Sequence, residues 1–426
     1  MSSTPPNRKL ALIDCDSFYC SCERLFNPKA KNKPVVVLSN NDGCVVSRSK
    51  EAKALGVPMG IPFFKIKDLC LEKDILAFSS NYPLYADLSS RVMRSLYEFT
   101  PDVEVYSIDE AFIDLTTIPH KDQQSFAINI RETILKNVGI PVSIGMAPTK
   151  VLCKVATHFA KKNGIGVFVI DESTNLEKLL KDFPVEDLWG IGKQSALKLK
   201  ILGIRSAWQL ACASPGLIQK TLTIVGRRIQ EELKGIACIE LTQEPEHKQQ
   251  IISSKSFDRG VFEKRILQES LANHAMRASE KLREEDQVCF GMQIFIHTNR
   301  FKDLPQYYNS ATEYFLSGTN SPQDIIAATS KALEKIFKDG FEYKKCGIML
   351  FDLRPHSELQ LSLFDSENPL REKNEKITKT LDEINQKFGS HTISFLACGT
   401  KTPWDKNGTQ KSASFTTSWK DLPKVK

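Results

Sequence analysis

Apolar residues follow two rhythms along this chain. Apolar runs near residues 10–13 and 34–38, and the strand-like stretches 103–115 and 142–145, have the β-branched content of buried strands. Elsewhere the apolar positions recur every three or four residues, as at Leu84, Leu88, Val92, Leu96 and Phe99. That spacing predicts helices over 84–99 and 124–137, with another around 18–25 and a fourth running from Lys150 to about 161 after Pro148-Thr149. Strands alternating with helices predict an α/β or α+β core. Residues 186–243 change character, with short helices and glycine turns. From 251 to 355 the pattern reads strand–helix–strand–strand–helix–strand, with strands near 251–257, 287–297, 311–316 and 344–353 and helices near 264–284 and 322–338. That order is the split βαβ, ferredoxin-like unit. Beyond Pro355 the chain turns polar and loses its period, and residues 365–374 and 399–418 read as linker or partner-binding tail.

Composition narrows the class. A chain of 426 residues carries a prior of about two to four domains, and 41% hydrophobic content is ordinary for a globular protein. No continuous apolar run approaches the roughly 20 residues of a membrane span, and the first residues, Met1 to Arg8, lack the apolar centre of a secretory signal. A soluble, cytoplasmic protein is expected. The eleven cysteines are scattered and form no C-x-x-C pair; Cys20 and Cys22 are the closest, with no histidine beside them to complete a zinc site. Reduced, buried thiols are expected. The formal net charge of +7 permits a polyanionic partner without demanding one.

Candidate chemistry begins with acids on apolar strands. Asp14 follows Leu10-Ala11-Leu12-Ile13, and Asp109-Glu110 interrupts the run around 103–115. Carboxylates on buried strands are costly unless something cationic neutralises them. A divalent metal does this economically, and carboxylates with metals suggest phosphoryl transfer. Neighbouring side chains of a regular strand point to opposite faces, so Asp109 and Glu110 reach one centre only at a tight turn or strand end. The competing reading is that these are rim acids paired with Lys or Arg; Asp16 and Asp114 are further candidates that the pattern alone does not rank. A second motif, Leu188-Trp189-Gly190-Ile191-Gly192-Lys193, has the glycines of a helix-hairpin-helix, through which backbone N–H groups approach a phosphate; a plain corner between two helices reads equally well. Residues 186–243 hold eight Lys or Arg against five Asp or Glu, modest support for a duplex-gripping surface.

Several motifs together resemble one family. Ile13-Asp14-Cys15-Asp16-Ser17-Phe18-Tyr19, Ser39-Asn40-Asn41-Asp42-Gly43-Cys44, Glu51-Ala52-Lys53-Ala54-Leu55-Gly56-Val57, Asn81-Tyr82-Pro83-Leu84-Tyr85, Ser107-Ile108-Asp109-Glu110-Ala111 and Phe415-Thr416-Thr417-Ser418-Trp419-Lys420-Asp421-Leu422 occur in order over nearly the whole chain. The chain resembles the Y-family translesion DNA polymerases. The resemblance implies an α+β multidomain, right-handed fold: palm at 1–30 and 81–185, small fingers at 31–80, a helical thumb with the helix-hairpin-helix at 186–243, a ferredoxin-like little finger at 246–355, and a tail at 356–426.

It also implies roles. Asp14, Asp109 and Glu110 would be catalytic and, with the Cys15 carbonyl, would bind two Mg²⁺ ions; Asp16 matches a position that is not a usual ligand. Tyr19 matches a steric gate whose ring collides with a ribose 2′-hydroxyl. Lys53 and Lys161 match triphosphate-binding positions, although Lys53 stands where the family often has Arg and cannot fork onto two oxygens; Lys50 replaces a family Tyr. Ser47 matches a triphosphate-facing hydroxyl, and Cys44, Val45 and Val46 match the small residues over the nascent base pair, where loose packing suits lesion bypass. Gly190, Gly192 and Lys193 would grip DNA, and Lys255, Arg259, Arg300 and Lys302 lie where little-finger phosphate contacts are expected. Gln360-Leu361-Ser362-Leu363-Phe364 is similar to the peptide that docks replicases on the β sliding clamp, with Gln360, Leu363 and Phe364 as anchors. The implied partners are primer-template DNA, dNTPs, a UmuD-derived dimer, RecA and the clamp, in error-prone synthesis during the SOS response. A palm-type nucleotidyl cyclase and a purely DNA-binding regulator are the alternatives.

Overall fold

The computed structural model describes residues 8–117, 122–242, 247–358, 369–400, 408 and 410–422. They fall into two compact units, one of the chain up to Pro245 together with Gly408 onward, the other of Glu246–Asn407.

The first unit opens with β1 (Leu10–Cys15) and α1 (Phe18–Phe26). An excursion follows, made of β2 (Val35–Leu38), β3 (Val45–Arg48), α2 (Lys50–Ala54), α3 (Lys67–Glu72) and β4 (Leu76–Ser79). α4 (Tyr82–Leu96) returns the chain to the main sheet, and β5 (Val103–Val105), β6 (Glu110–Asp114), α5 (Gln123–Val138), β7 (Val142–Ala147), α6 (Lys150–Lys162) and β8 (Val167–Val169) complete it. The sheet order is β5-β6-β1-β7-β8, which places β1 at the centre, while the excursion forms its own sheet, β3-β2-β4. Four helices come next: α7 (Leu176–Lys181), α8 (Lys193–Ile201), α9 (Ala207–Cys212) and α10 (Pro215–Leu233).

β1 is apolar from Leu10 to Ile13 because both of its faces are covered. Ala11, Ile13 and Cys15 join a core with α1, α4 and α5, while Leu10 and Leu12 join another with α6. The same split holds on β6, where Ala111 and Ile113 face the first core and Phe112 the second. The single strand expected over 103–115 is in fact a pair, β5 and β6, running antiparallel with Val105 opposite Ala111. The break has a local cause. The Ser107 hydroxyl accepts from the Asp109 N–H at 3.2 Å and donates to Asp109 Oδ1 at 2.7 Å, folding the backbone into a turn that the apolar pattern does not report.

α6 lies close on β7 because residue 145 is glycine. A Cβ there would stand 2.3 Å from the Thr157 N and 2.5 Å from the Cys153 O. The helix begins where the Thr149 hydroxyl accepts from Leu152 N–H at 3.3 Å, an N-cap. All eleven cysteines are free; eight are buried as expected, with burial pushing the Cys20 thiol up to about 12, whereas Cys44 and Cys238 are half-buried and Cys212 is exposed.

The second unit contains β9 (Gln250–Val261), α11 (Lys264–Glu284), β10 (Gln287–Thr298), β11 (Tyr308–Thr319), α12 (Pro322–Ile336) and β12 (Tyr343–Pro355), the expected element order. Its antiparallel sheet runs β11-β10-β12-β9, so the second and fourth strands are central and the first and third are edges. A ferredoxin-like sheet instead puts the first and third strands at its centre.

The polar end of the chain is more structured than its composition suggests. α13 (Pro369–Phe388) is a long charged helix held by a narrow contact: Leu381 is buried and Arg283 donates to both Asp382 oxygens at 2.7 and 2.8 Å. The segment 410–422 forms part of the first unit, with Lys411 bridging to Ser79 of β4. For residues 410–418 this corrects the linker alternative of the linker or partner-binding tail expected over 399–418; residues 401–407 and 409 lie outside the described residues. The segment docks through hydrogen bonds of backbone and short polar side chains and one aromatic ring, which leave no apolar period in the sequence. No helix among the described residues is long and apolar enough to cross a membrane.

Candidate active site

The two-residue period of β1 puts Asp14 on the face of Leu10 and Leu12, beneath α6. On β6, Glu110 shares the face of Phe112. The antiparallel ladder sets Asp14 directly opposite Glu110, so two acids far apart in sequence meet side by side under one helix. Asp109 sits one residue before β6 begins, and its carbonyl accepts from the Cys15 N–H at 2.8 Å, which ties the turn to the end of β1. The strand end expected at Asp109-Glu110 is present.

Cations come down from α6. Lys161 donates to Asp14 Oδ2 at 2.7 Å, and Lys154 donates to both Glu110 oxygens at 2.7 Å. These lysines are seven residues apart, two helical turns, and therefore share a face. Lys154 also lies over the Tyr106 ring, 5.0 Å from its centre. Burial dominates at Asp14 and raises its pKa to about 7, against the pull of Lys161 and with a further push from Glu110. Lys53, on α2, reaches Ser17 in the β1–α1 turn at 3.3 Å. Its pKa is lowered by burial and then by the charges of Lys161 and Arg48, which places three cations within electrostatic reach of one another.

Tyr19, on α1, is half-buried. Its ring stacks on Tyr85 of α4 at 4.4 Å and 15°, with Tyr82 edge-on at 6.1 Å. Val46 is partly exposed on β3. Ser47 lies on the opposite strand face from Val46 and is buried, with its hydroxyl 3.4 Å from Cys20 Sγ. Lys50 is exposed at the start of α2. Asp16 accepts from Ser143 at 2.7 Å, and Asp114 lies at the far end of β6, accepting from Thr116 N–H at 2.8 Å, so neither joins the Asp14–Glu110 pair. Gly190 takes a positive φ of 84° in a turn whose absent side chain makes room for Ile229. Gly192 opens α8 with free space around its Cα and no side-chain cap, and Lys193 beside it is exposed. Gln360, Leu363 and Phe364 lie outside the described residues.

Lys154 and Arg48 are the functional candidates that sequence reasoning missed. The seven-residue spacing of Lys154 from Lys161 on an otherwise apolar-faced helix was the available signal for the first. For Arg48 it was the alternation that puts residue 48 on the same strand face as Val46.

The donor set suits a hard divalent cation: three carboxylates stand at adjoining strand ends, and burial raises the pKa of one of them, Asp14, to about 7 despite Lys161 beside it. Among the described residues no three His, Cys, Asp or Glu side chains already stand gathered as a metal cluster. The two lysine ammonium groups are the cations that these acids have here.

The comparisons with known proteins agree with this geometry. The impB/mucB/samB family matches residues 13–158, its C-terminal domain matches 248–363, and a domain of unknown function (DUF4113) matches 375–425. The chain belongs to the impB/mucB/samB family, a UmuC-like branch of the Y-family DNA polymerases. It is 42% identical to Protein SamB of Salmonella typhimurium over 98% of this chain and 99% of that protein. It is likewise 42% identical to Protein UmuC of the LT2 strain of that species, over 98% of this chain and 100% of UmuC. The solved Y-family DNA polymerase chimera Dbh-Dpo4-Dbh is 20% identical, with a TM-score of 0.67, over 82% of this chain and 99% of the chimera, a likeness of fold.

Proposed function

We propose that this chain is an error-prone, DNA-directed DNA polymerase that extends a primer past damaged template bases with dNTPs, in the SOS response. The observation that carries the reading is the pairing of Asp14 with Glu110 across β1 and β6, with Asp109 at the adjoining strand end. Asp14, Asp109, Glu110 and the Cys15 carbonyl would hold two Mg²⁺ ions. When bound, these ions supply a lowered pKa for the primer 3′-hydroxyl and charge neutralisation for the pyrophosphate.

The chain's own residues do the rest. Lys161 is 42% exposed, so its ammonium turns to an incoming triphosphate once the charge of Asp14 is matched otherwise. Lys53 and Arg48 add positive charge on the same side. Tyr19 is backed by Tyr85 and does not swing aside, so a 2′-hydroxyl meets a fixed wall. Val46, a small side chain, leaves the base-pair pocket loose, which lowers geometric selection.

The domain division given above fits this work. The palm is the five-stranded sheet, the fingers are the β3-β2-β4 excursion, and the thumb offers the α8 N-terminus with Gly190, Gly192 and Lys193 to a DNA phosphate. Lys255, Arg259, Arg300 and Lys302 of the little finger add backbone contacts. Gln360, Leu363 and Phe364 dock the clamp, and a UmuD-derived dimer and RecA are the expected activating partners.

The test is primer extension across an abasic site with Mg²⁺ and dNTPs. The chain is assayed alone, with clamp, and with activated RecA and the processed UmuD-like dimer, beside an Asp109→Ala/Glu110→Ala control. Extension that vanishes in the control supports the reading. A folded, DNA-binding protein that extends in no mixture moves the assignment to a regulator.

A further inference from the structure

The FTTSW-containing end of the chain has no role in the reading above, yet its placement is specific. Asn81, Ser79 and Ser80 form the junction between β4 and α4 and are almost fully buried. Buried polar groups need partners, and two of these residues take theirs from the C-terminal segment. Asn81 Nδ2 donates to the Ser412 hydroxyl at 2.8 Å and to the Ala413 carbonyl at 3.2 Å. The Ser79 N–H donates to the Gln410 carbonyl at 3.1 Å, and the Gln410 N–H donates back to the Ser79 hydroxyl at 2.9 Å. Gly408 lies so near that a Cβ there would fall 2.4 Å from the Ser79 Cβ. Phe415 stacks on Phe26, at the end of α1, with ring centres 4.9 Å apart and planes 12° from parallel.

One contact runs on into the site. Ser412 donates to Glu23 Oε1 at 3.2 Å, and the same oxygen accepts from the Tyr85 hydroxyl at 2.6 Å. Glu23 is buried, lies one helical turn beyond Tyr19 on α1, and its other oxygen has no partner among the described residues. Tyr85 is the ring that backs Tyr19. The terminal segment therefore grips α1 at Phe26 and Glu23 and grips α4 at its first turn, the two helices whose separation sets the Tyr19–Tyr85 stack.

We infer that residues 410–422 are a strap that positions the sugar-selecting ring: by tying α1 to the start of α4 they hold Tyr85 against Tyr19, and so set the discrimination between deoxyribonucleotides and ribonucleotides. The inference rests on the proposed role of Tyr19 as a gate. Ser412 and Phe415 are positioning residues; they act through Glu23, Tyr85 and Phe26 and touch no nucleotide.

The experiment uses the full chain, in whichever mixture supports primer extension. It compares kcat/KM for dCTP and rCTP opposite a template guanine in the native chain, Phe415→Ala, Phe415→Tyr, Ser412→Ala and Tyr19→Ala. Hydrogen–deuterium exchange is followed in peptides covering 17–26 and 79–90. Phe415→Ala is expected to lower sugar discrimination by about tenfold, mainly through a gain with rCTP, as small misplacements at a reacting site do. It also speeds exchange in both peptides, while Phe415→Tyr, which keeps the stacked ring, restores the native values. Ser412→Ala, which removes a single oxygen, gives a smaller shift in the same direction and stands in if Phe415→Ala fails to fold. If Tyr19→Ala relaxes discrimination while both strap variants leave the ratio unchanged, the strap inference is overturned and the gate stands. If Tyr19→Ala itself changes nothing, the gate reading fails and takes the inference with it.

Discussion

Replacing Lys154 by Met tests whether the acids under α6 form a metal site or a structural ion pair. The substitution keeps the apolar stem over Tyr106 and removes the ammonium that bonds both Glu110 oxygens at 2.7 Å. The pair is mostly enclosed, with 19% and 18% of the two side chains exposed. Removing one partner of a buried pair costs about 3–5 kcal/mol because a charge is left unmatched. The residual exposure here argues for the lower end, about 3 kcal/mol. For a unit of this size that is a fall in Tm of roughly 6–12 °C. The fall is expected in EDTA, where Glu110 has no second ion pair among the described residues. In excess Mg²⁺ the divalent ion supplies the missing charge, and most of the loss is recovered. Glu110→Gln/Lys154→Met, which removes both charges, is expected to sit near the native Tm in EDTA and to gain little from Mg²⁺. The assay is a set of thermal melts of the three proteins in the two buffers. An equal loss for Lys154→Met with and without Mg²⁺ would refute the reasoning and leave Lys154 as a packing residue.

Three further outcomes are expected, two from the geometry and one from the proposed clamp peptide. His274, whose Nδ1 lies 2.9 Å from the Ser253 hydroxyl, has its pKa lowered to about 4, first by burial and then by Arg277, Lys255 and Lys345. Its neutral ring supports the second unit fully above the unfolded value of about 6.5, and that support, about 3 kcal/mol, is lost as pH falls toward 4; His274→Gln flattens the acid limb of a stability-against-pH curve, and parallel curves would count against the assignment. Gly145→Ala drives a methyl into the Thr157 backbone, costs at least the ~1–3 kcal/mol of an overpacked core by denaturant titration, and depresses extension by shifting both α6 lysines. Leu363→Ala/Phe364→Ala weakens clamp binding by surface plasmon resonance about thirtyfold or more, the loss of a binding hot spot, and leaves clamp-free extension unchanged.

The parts of this molecule legible in its sequence are those written in periodicity. The helix at 264–284 shows in the apolar spacing at the limits it has in the structure. β1 was recognisable from its unbroken run, and Asp14 from being the first charge to interrupt it. The turn at Ser107–Asp109 was not, because two side-chain hydrogen bonds make it, and they leave no mark on the hydrophobic pattern. The burial of Ser47 against Cys20 is not legible in the sequence, because a family match fixes a position in the chain, whereas the pleat decides which face the side chain occupies. Lys154 was overlooked because its partner, Glu110, lies in a separate strand, and only the ladder register brings the two together. The terminal strap is the extreme case: its contacts with Asn81 span 331 residues and are made mostly to the backbone, which carries no side-chain code.

That span also orders events during synthesis. When Asn81 leaves the ribosome, the groups that will bury its amide are still 331 residues from being made. The polymerase half of the chain emerges with the β4–α4 junction open to water and is closed only by a segment translated after the whole second unit. A ribosome that stalls before residues 410–422, or a protease that clips ahead of them, would, on the proposed reading, release a molecule with Asp14, Asp109 and Glu110 in place and Tyr19 unlatched. On that reading the strap makes accuracy of sugar choice a late-acquired property of the chain, separable in time from the capacity for chemistry.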